Sequence, residues 1–169
     1  MKQSKILYLT QAAMIAAVYV VLTYLVNLLG LASGAIQVRI SEALTILPAF
    51  TPAAIPGLFV GCLLSNTLTG CALWDIVFGS VATLLGALGT YLLRKKHPLL
   101  LPIPPIAANT LIVPFVLQYV YGVPDSIPYL MLTVGIGEVI SCGILGLILY
   151  KVLLPYKNLI FASAPGSIA

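Results

Sequence analysis

Long apolar runs, broken at a few polar positions, set the pattern of this chain. Residues 6–29 form one hydrophobic stretch, and 74–93, 99–121 and 126–150 form three more. Each has about the 20 residues that a helix needs to cross the bilayer core. Residues 39–70 are also apolar but are interrupted by Pro48, Pro52 and Pro56. They read either as one bent span or as two short helices, about 40–50 and 55–69, that meet at Thr51-Pro52. Each short helix falls below the length of a straight span, so one of them is expected to be half-inserted or shielded by its neighbours. Gly122-Val123-Pro124-Asp125 is a turn between the last two segments.

Charge decides between these readings. Only 12 of the 169 residues are charged, and the chain is 61% hydrophobic, too little polar surface to cover a soluble core. Seven of the eight cations fall in three clusters: Lys2 with Lys5, Arg94-Lys95-Lys96, and Lys151 with Lys157. Cations that flank membrane spans are held in the cytoplasm, so each interval between clusters should cross an even number of times. One bent span would put Arg94-Lys95-Lys96 outside; two short helices keep it inside. The sequence thus predicts an all-α integral membrane protein with six transmembrane helices and both termini in the cytoplasm. The membrane domain is expected over 1–157, followed by a tail, 158–169, with no spanning pattern.

The remaining bounds are brief. The first helix begins almost at Met1, lacks a small-residue cleavage site and is long enough to span, so it is not expected to be a cleaved signal. The net charge of +4 is that of the flanking cations and gives no nucleic-acid footprint. Cys62, Cys71 and Cys142 lack metal or redox spacing and read as small packing residues. His97 adjoins the cytoplasmic cluster and reads as solvated loop.

Placed by depth, the polar residues gather towards the outer half. Gln37, Arg39, Ser41 and Glu42 lie at the outer end of the second segment, with Ser65, Asn66 and Thr67 near the outer end of the third. Trp74 and Asp75 open the fourth. Asn109 is midway along the fifth, with Gln118 nearer the surface, and Glu138 is at the middle of the sixth. The inner halves of segments four and six carry almost nothing polar. Polar residues inside a membrane face the bundle interior and mark ligand or ion sites, so a cavity open to the outside is expected. Plainer roles stand beside this one. Asp75 can cap its helix, Arg39 and Glu42 can form a surface ion pair, Asn66 and Asn109 can be interhelical glue, and Trp74 can be a belt aromatic. Glu138 resists a plain role unless Arg39 reaches down to pair with it, because an ionisable group at mid-bilayer costs several kcal/mol uncompensated.

Two features concern shape. Ala12/Ala16 and Ala13/Ala17 stand at small-xxx-small spacing on the first helix, a stripe that lets another backbone approach, from this chain or from a separate protein. Pro102, Pro104, Pro105 and Pro114 should kink the fifth segment. One His and no HExxH or GxSxG motif leave no catalytic set, and no internal repeat suggests a two-halved transporter. A small membrane protein with one pocket and one helix prepared for a partner fits a binding subunit.

That combination resembles the substrate-binding (S) components of energy-coupling-factor (ECF) vitamin importers, and more narrowly the QueT family of queuosine-precursor transporters. The residues that carry the likeness are Gln37-Val-Arg39-Ile-Ser41-Glu42-Ala-Leu, Gly61-Cys-Leu-Leu-Ser-Asn66, and Asp75-Ile-Val-Phe-Gly79-Ser80-Val-Ala-Thr83-Leu. Pro105-Ile-Ala-Ala-Asn109-Thr-Leu-Ile-Val-Pro114 and Gly135-x-Gly137-Glu138 complete it, over about 5–150. The resemblance implies a multi-pass protein of a prokaryotic plasma membrane, with no cofactor. Such a subunit captures a deazaguanine base from outside, docks through Ala12, Ala13, Ala16 and Ala17 on a membrane scaffold protein, and topples when two partner ATPases hydrolyse ATP. The chain itself lacks a Gly-x-x-x-x-Gly-Lys-Ser/Thr nucleotide loop. Its implied substrate contacts are Glu138, Asn109, Asp75, Glu42, Arg39, Asn66 and Trp74. A carboxylate, Glu138 first and Asp75 next, would accept the paired N–H donors of the guanine-type edge, Trp74 would stack on the ring, and a second acid would face the amine of queuine or its aminomethyl precursor. Charge complementarity alone also suits thiamine or another cationic vitamin. A membrane sensor or assembly protein would use the Ala stripe without any pocket.

Overall fold

A computed structural model describes residues 2–30 and 38–161, with the backbone alone over 2–4; Gln37 and the tail beyond Phe161 lie outside the described residues. The described chain is all helical. Helix α1 runs Lys2–Leu28, a 3₁₀ helix runs Ile40–Ala49, and α2 and α3 are Ala54–Leu68 and Leu73–Leu93. After α4, Ile103–Tyr119, the last span is α5, Ile127–Glu138, continued by a π-helical stretch, Val139–Leu145, and by α6, Gly146–Leu153. A short α7, Lys157–Ile160, closes the described chain. Phe161 stacks on Phe50 at 5.3 Å and so ties the start of the expected tail to the bundle.

Among the described residues, four helical stretches are long and apolar enough to cross a membrane: Lys5–Leu28, Leu73–Leu93, Pro98–Tyr119 and Ile127–Ile160. The broken 39–70 region does form two shorter apolar helices, Ile40–Ala49 and Ala54–Leu68. Ten residues at about 2 Å rise reach only about 20 Å, short of the roughly 30 Å hydrocarbon core. Shielding compensates for this. Residues Ser41 to Pro48 are all buried, and the 3₁₀ helix packs against α1, α3, the π-helical stretch and α6. Irregular backbone is tolerated at membrane depth where protein surrounds it.

Close approach between helices relies on glycine. A Cβ at Gly57 would lie 2.7 Å from the Ala12 carbonyl oxygen, and one at Gly61 would lie 3.1 Å from Ala16 Cα. Ala12 and Ala16 therefore face α2 inside the chain, while Ala13 and Ala17 stay exposed. The stripe thus has one packed side and one exposed side. On α4, Pro102 is the N-cap residue and Pro104 and Pro105 follow in the first turn, where the missing N–H groups cost nothing. They start the helix, and only Pro114 is left in its interior to bend it. Pro105 also packs on α3, where a Cβ at Gly86 would come within 2.7 Å of its Cα.

Candidate substrate site

Two spaces open between the helices at the end of the bundle away from Arg94-Lys95-Lys96. The outer one is a pocket of about 340 Å³, within the usual range for small-molecule sites. Its polar walls come from the ends of five elements: Thr23 and Asn27 of α1, Arg39 and Ser41 at the 3₁₀ helix, Asn66 and Thr69 at the end of α2, Asp75 in the first turn of α3, and Tyr121 after α4. The deeper one is a cleft of about 20 Å³ between Glu42, Gly79, Thr83, Asn109 and Glu138, with Arg39 on its wall as well.

The two spaces are successive levels of one shaft. Along α3, Asp75 lines the outer level, and Gly79 and Thr83 line the deeper one at four-residue steps. Along α4, Leu117 lines the outer level and Val113 and Asn109 the deeper one, at the same step. Residues four apart share a helix face, so the levels are about one turn, roughly 5 Å, apart. The lack of a side chain at Gly79 lets Asn66 pack close on α3, since a Cβ there would lie 3.1 Å from Asn66 Nδ2.

Each acid is fixed differently. Asp75 is buried at 5% exposure and accepts a hydrogen bond from the Tyr121 hydroxyl at 2.8 Å. That hydroxyl in turn accepts from the Ala72 N–H at 3.1 Å, and Ala72 is the N-cap residue of α3. Asp75 makes no capping bond of its own, though its place in the first turn suits the helix dipole. Glu42 is 2% exposed, so it is not half of a surface ion pair. Its Oε1 accepts from the Tyr19 hydroxyl, and its Oε2 is buried with no partner among the described residues. Glu138 Oε2 lies 3.1 Å from Cys142 Sγ. The Glu42, Glu138 and Cys142 ligand atoms all lie within 4.8 Å of one another, and Asn109 lines the same cleft as both carboxylates.

The π-helical stretch explains how a 3₁₀ helix and the last span meet here. Widening the turn after Glu138 brings Ser141 and Cys142 towards Ile40–Ala49. Ser141 Oγ accepts from the Arg39 backbone N–H at 3.2 Å, and Cys142 Sγ accepts from the Thr45 hydroxyl at 3.4 Å. π-Helical turns inside α-helices are frequent at functional sites.

Of the substrate contacts expected from the sequence, Arg39, Glu42, Asn66, Asp75, Asn109 and Glu138 converge on this shaft. Arg39 does reach down to the level of Glu138. Trp74 does not join them. It is 57% exposed and stacks on Phe78 at 5.8 Å on the outer face of α3, the geometry of a belt aromatic. Sequence reasoning missed Tyr19 and Tyr121, the hydroxyls that hold Glu42 and Asp75. A tyrosine deep in a spanning helix is a usable signal, because its buried O–H needs a partner; Tyr19 is 1% exposed.

The sequence profile of the QueT transporter family matches residues 9–155, nearly the whole described chain and every shaft residue. The chain belongs to the QueT transporter family. A curated relative, the queuosine precursor transporter QueT of Lactococcus lactis subsp. cremoris (strain MG1363), is 36% identical over 85 residues. That stretch covers 50% of this chain and 49% of the relative, so the match spans about half the length of each. No solved structure matches the chain.

Proposed function

We propose that this chain is the substrate-binding membrane subunit of an ECF-type importer and captures a queuosine precursor, a deazaguanine base, from outside a prokaryotic cell. The observation that carries this reading is the polar outer pocket at the end of the bundle opposite the cation cluster. It is large enough for a bicyclic base and is walled by an acid, an amide, a guanidinium and a tyrosine. Family membership and the name of the Lactococcus relative support the substrate class.

In this reading the base lies in the outer pocket. The Asp75 carboxylate accepts the paired N–H donors of the guanine-type edge, Asn66 supplies amide hydrogen bonding, and Tyr121 takes over the stacking role that Trp74 cannot fill. The edge-reading role passes from Glu138 to Asp75 because about 20 Å³ at Glu138 holds one water-sized group and no ring. The chain crosses the membrane six times with both termini in the cytoplasm, its domain covers 1–157, and the pocket faces outward. Ala13 and Ala17 dock on the scaffold subunit, and two ATPases supply the energy. Calorimetric titration of the purified chain with aminomethyl-deazaguanine is expected to give saturable one-to-one binding, with no comparable heat from thiamine. Thiamine binding without deazaguanine binding would replace the substrate, and absence of both would favour a sensor or assembly role.

A further inference from the structure

We infer that the deep cleft between Glu42 and Glu138 is a subsite for a primary alkylammonium group, so that the protein selects a deazaguanine with an aminomethyl substituent over one with a nitrile. The inference rests on the reading of the outer pocket as the seat of the base and adds what lies one turn below it.

Size is the first argument. At about 20 Å³ the cleft admits one water-sized group, which is the size of an ammonium head and far below that of a ring. Position is the second. The cleft continues the outer pocket along α3 and α4, with Arg39 on the wall of both. A one-carbon substituent on a base seated above therefore points into it.

Charge and hydrogen bonding give the third. The cleft sets two buried carboxyl groups against one guanidinium, and a monovalent cation between them is the charge that lets both ionise. Glu42 Oε2 is buried and without a partner among the described residues, although Glu42 Oε1 is held by Tyr19. A buried acceptor left open in this way is costly unless a ligand completes it. The three N–H donors of an ammonium match Glu42 Oε2, the Glu138 carboxylate and the Asn109 carbonyl. A divalent metal fits less well, because Arg39 adds a positive charge to the same wall and the Cys142 thiol is already engaged with Glu138 Oε2 at 3.1 Å.

The test is calorimetric titration of the full chain in detergent with aminomethyl-deazaguanine and with cyano-deazaguanine, which differ only in the group that would enter the cleft. Wild type should bind the amine roughly 10- to 100-fold tighter, the scale of a hydrogen-bonded charge. In Glu138→Gln the ratio of the two affinities should collapse to within threefold. Equal affinities in wild type overturn the subsite and leave the transport reading standing, since both bases still bind. Failure of both bases to bind overturns the reading of the outer pocket itself. The wild-type comparison needs no variant to fold.

Discussion

Asp75 is the acid of the outer pocket, and in the proposed function it accepts the edge of the base. As a plain cap it would bond its own helix end; instead its carboxylate is held by Tyr121 and lines a cavity. Asp75→Asn keeps the shape but turns one acceptor oxygen into a donor, so that a ring N–H would face an N–H. Hydrogen bonds to charged groups are worth about 1.5–3 kcal/mol, hence affinity for aminomethyl-deazaguanine should fall roughly 10- to 150-fold. The Tyr121 hydroxyl can still donate to the amide oxygen, so the folded yield should hold. A well-folded variant with less than a threefold loss would move the edge-reading role elsewhere. Trp74→Ala, by contrast, removes a ring that touches Phe78 and neither cavity, and affinity should stay within threefold.

Helix α1 carries two small-residue stripes, one packed inside the chain and one exposed. Ala12 and Ala16 sit against Gly57 and Gly61, where backbone meets backbone and no atom can yield. Gly57→Leu should therefore destabilise the bundle by about 1–3 kcal/mol through overpacking, seen as a lower melting temperature in detergent. Ala13 and Ala17, exposed on the other side, leave room for a separate protein. Ala13→Trp and Ala17→Trp should leave melting and aminomethyl-deazaguanine binding unchanged while abolishing uptake and co-purification of the scaffold subunit. Normal uptake in both would end the docking role of this face. The stripe was legible from spacing alone, but its division was not. Small residues at both offsets look alike until the neighbouring helix takes one side.

Across the whole molecule, the shaft and the cation cluster mark opposite ends. Asp75 stands in the first turn of α3 and Arg94 is its C-cap residue. If cations face the cytoplasm, the pocket faces outward. A single cysteine placed at Lys96, with Cys62, Cys71 and Cys142 replaced by Ala, should react with an impermeant maleimide only after the cells are opened. Labelling of intact cells would reverse the orientation and the six-crossing reading with it. The short 3₁₀ helix is the weak point of any count by length, because it is buried among five other elements rather than stretched across lipid.

Hydropathy is a sum along one segment, and it sufficed to make this chain an all-helical membrane protein and to place its breaks. Pro48, Pro52 and Pro56 divided 39–70 where the 3₁₀ helix gives way to α2, and the rarity of charge singled out Glu42, Asp75 and Glu138. Tertiary structure decided the rest. A lipid-facing helix is apolar all round, so its sequence carries little sign of which face turns inward. Helix rotation alone could turn Trp74 outward while Asp75, the next residue, turned in. The two levels of the shaft depend on α3 and α4 being in register, and the meeting of Glu42 with Glu138 depends on a π-helical turn against a 3₁₀ helix. Those are contacts between residues almost a hundred positions apart, and no local pattern records them.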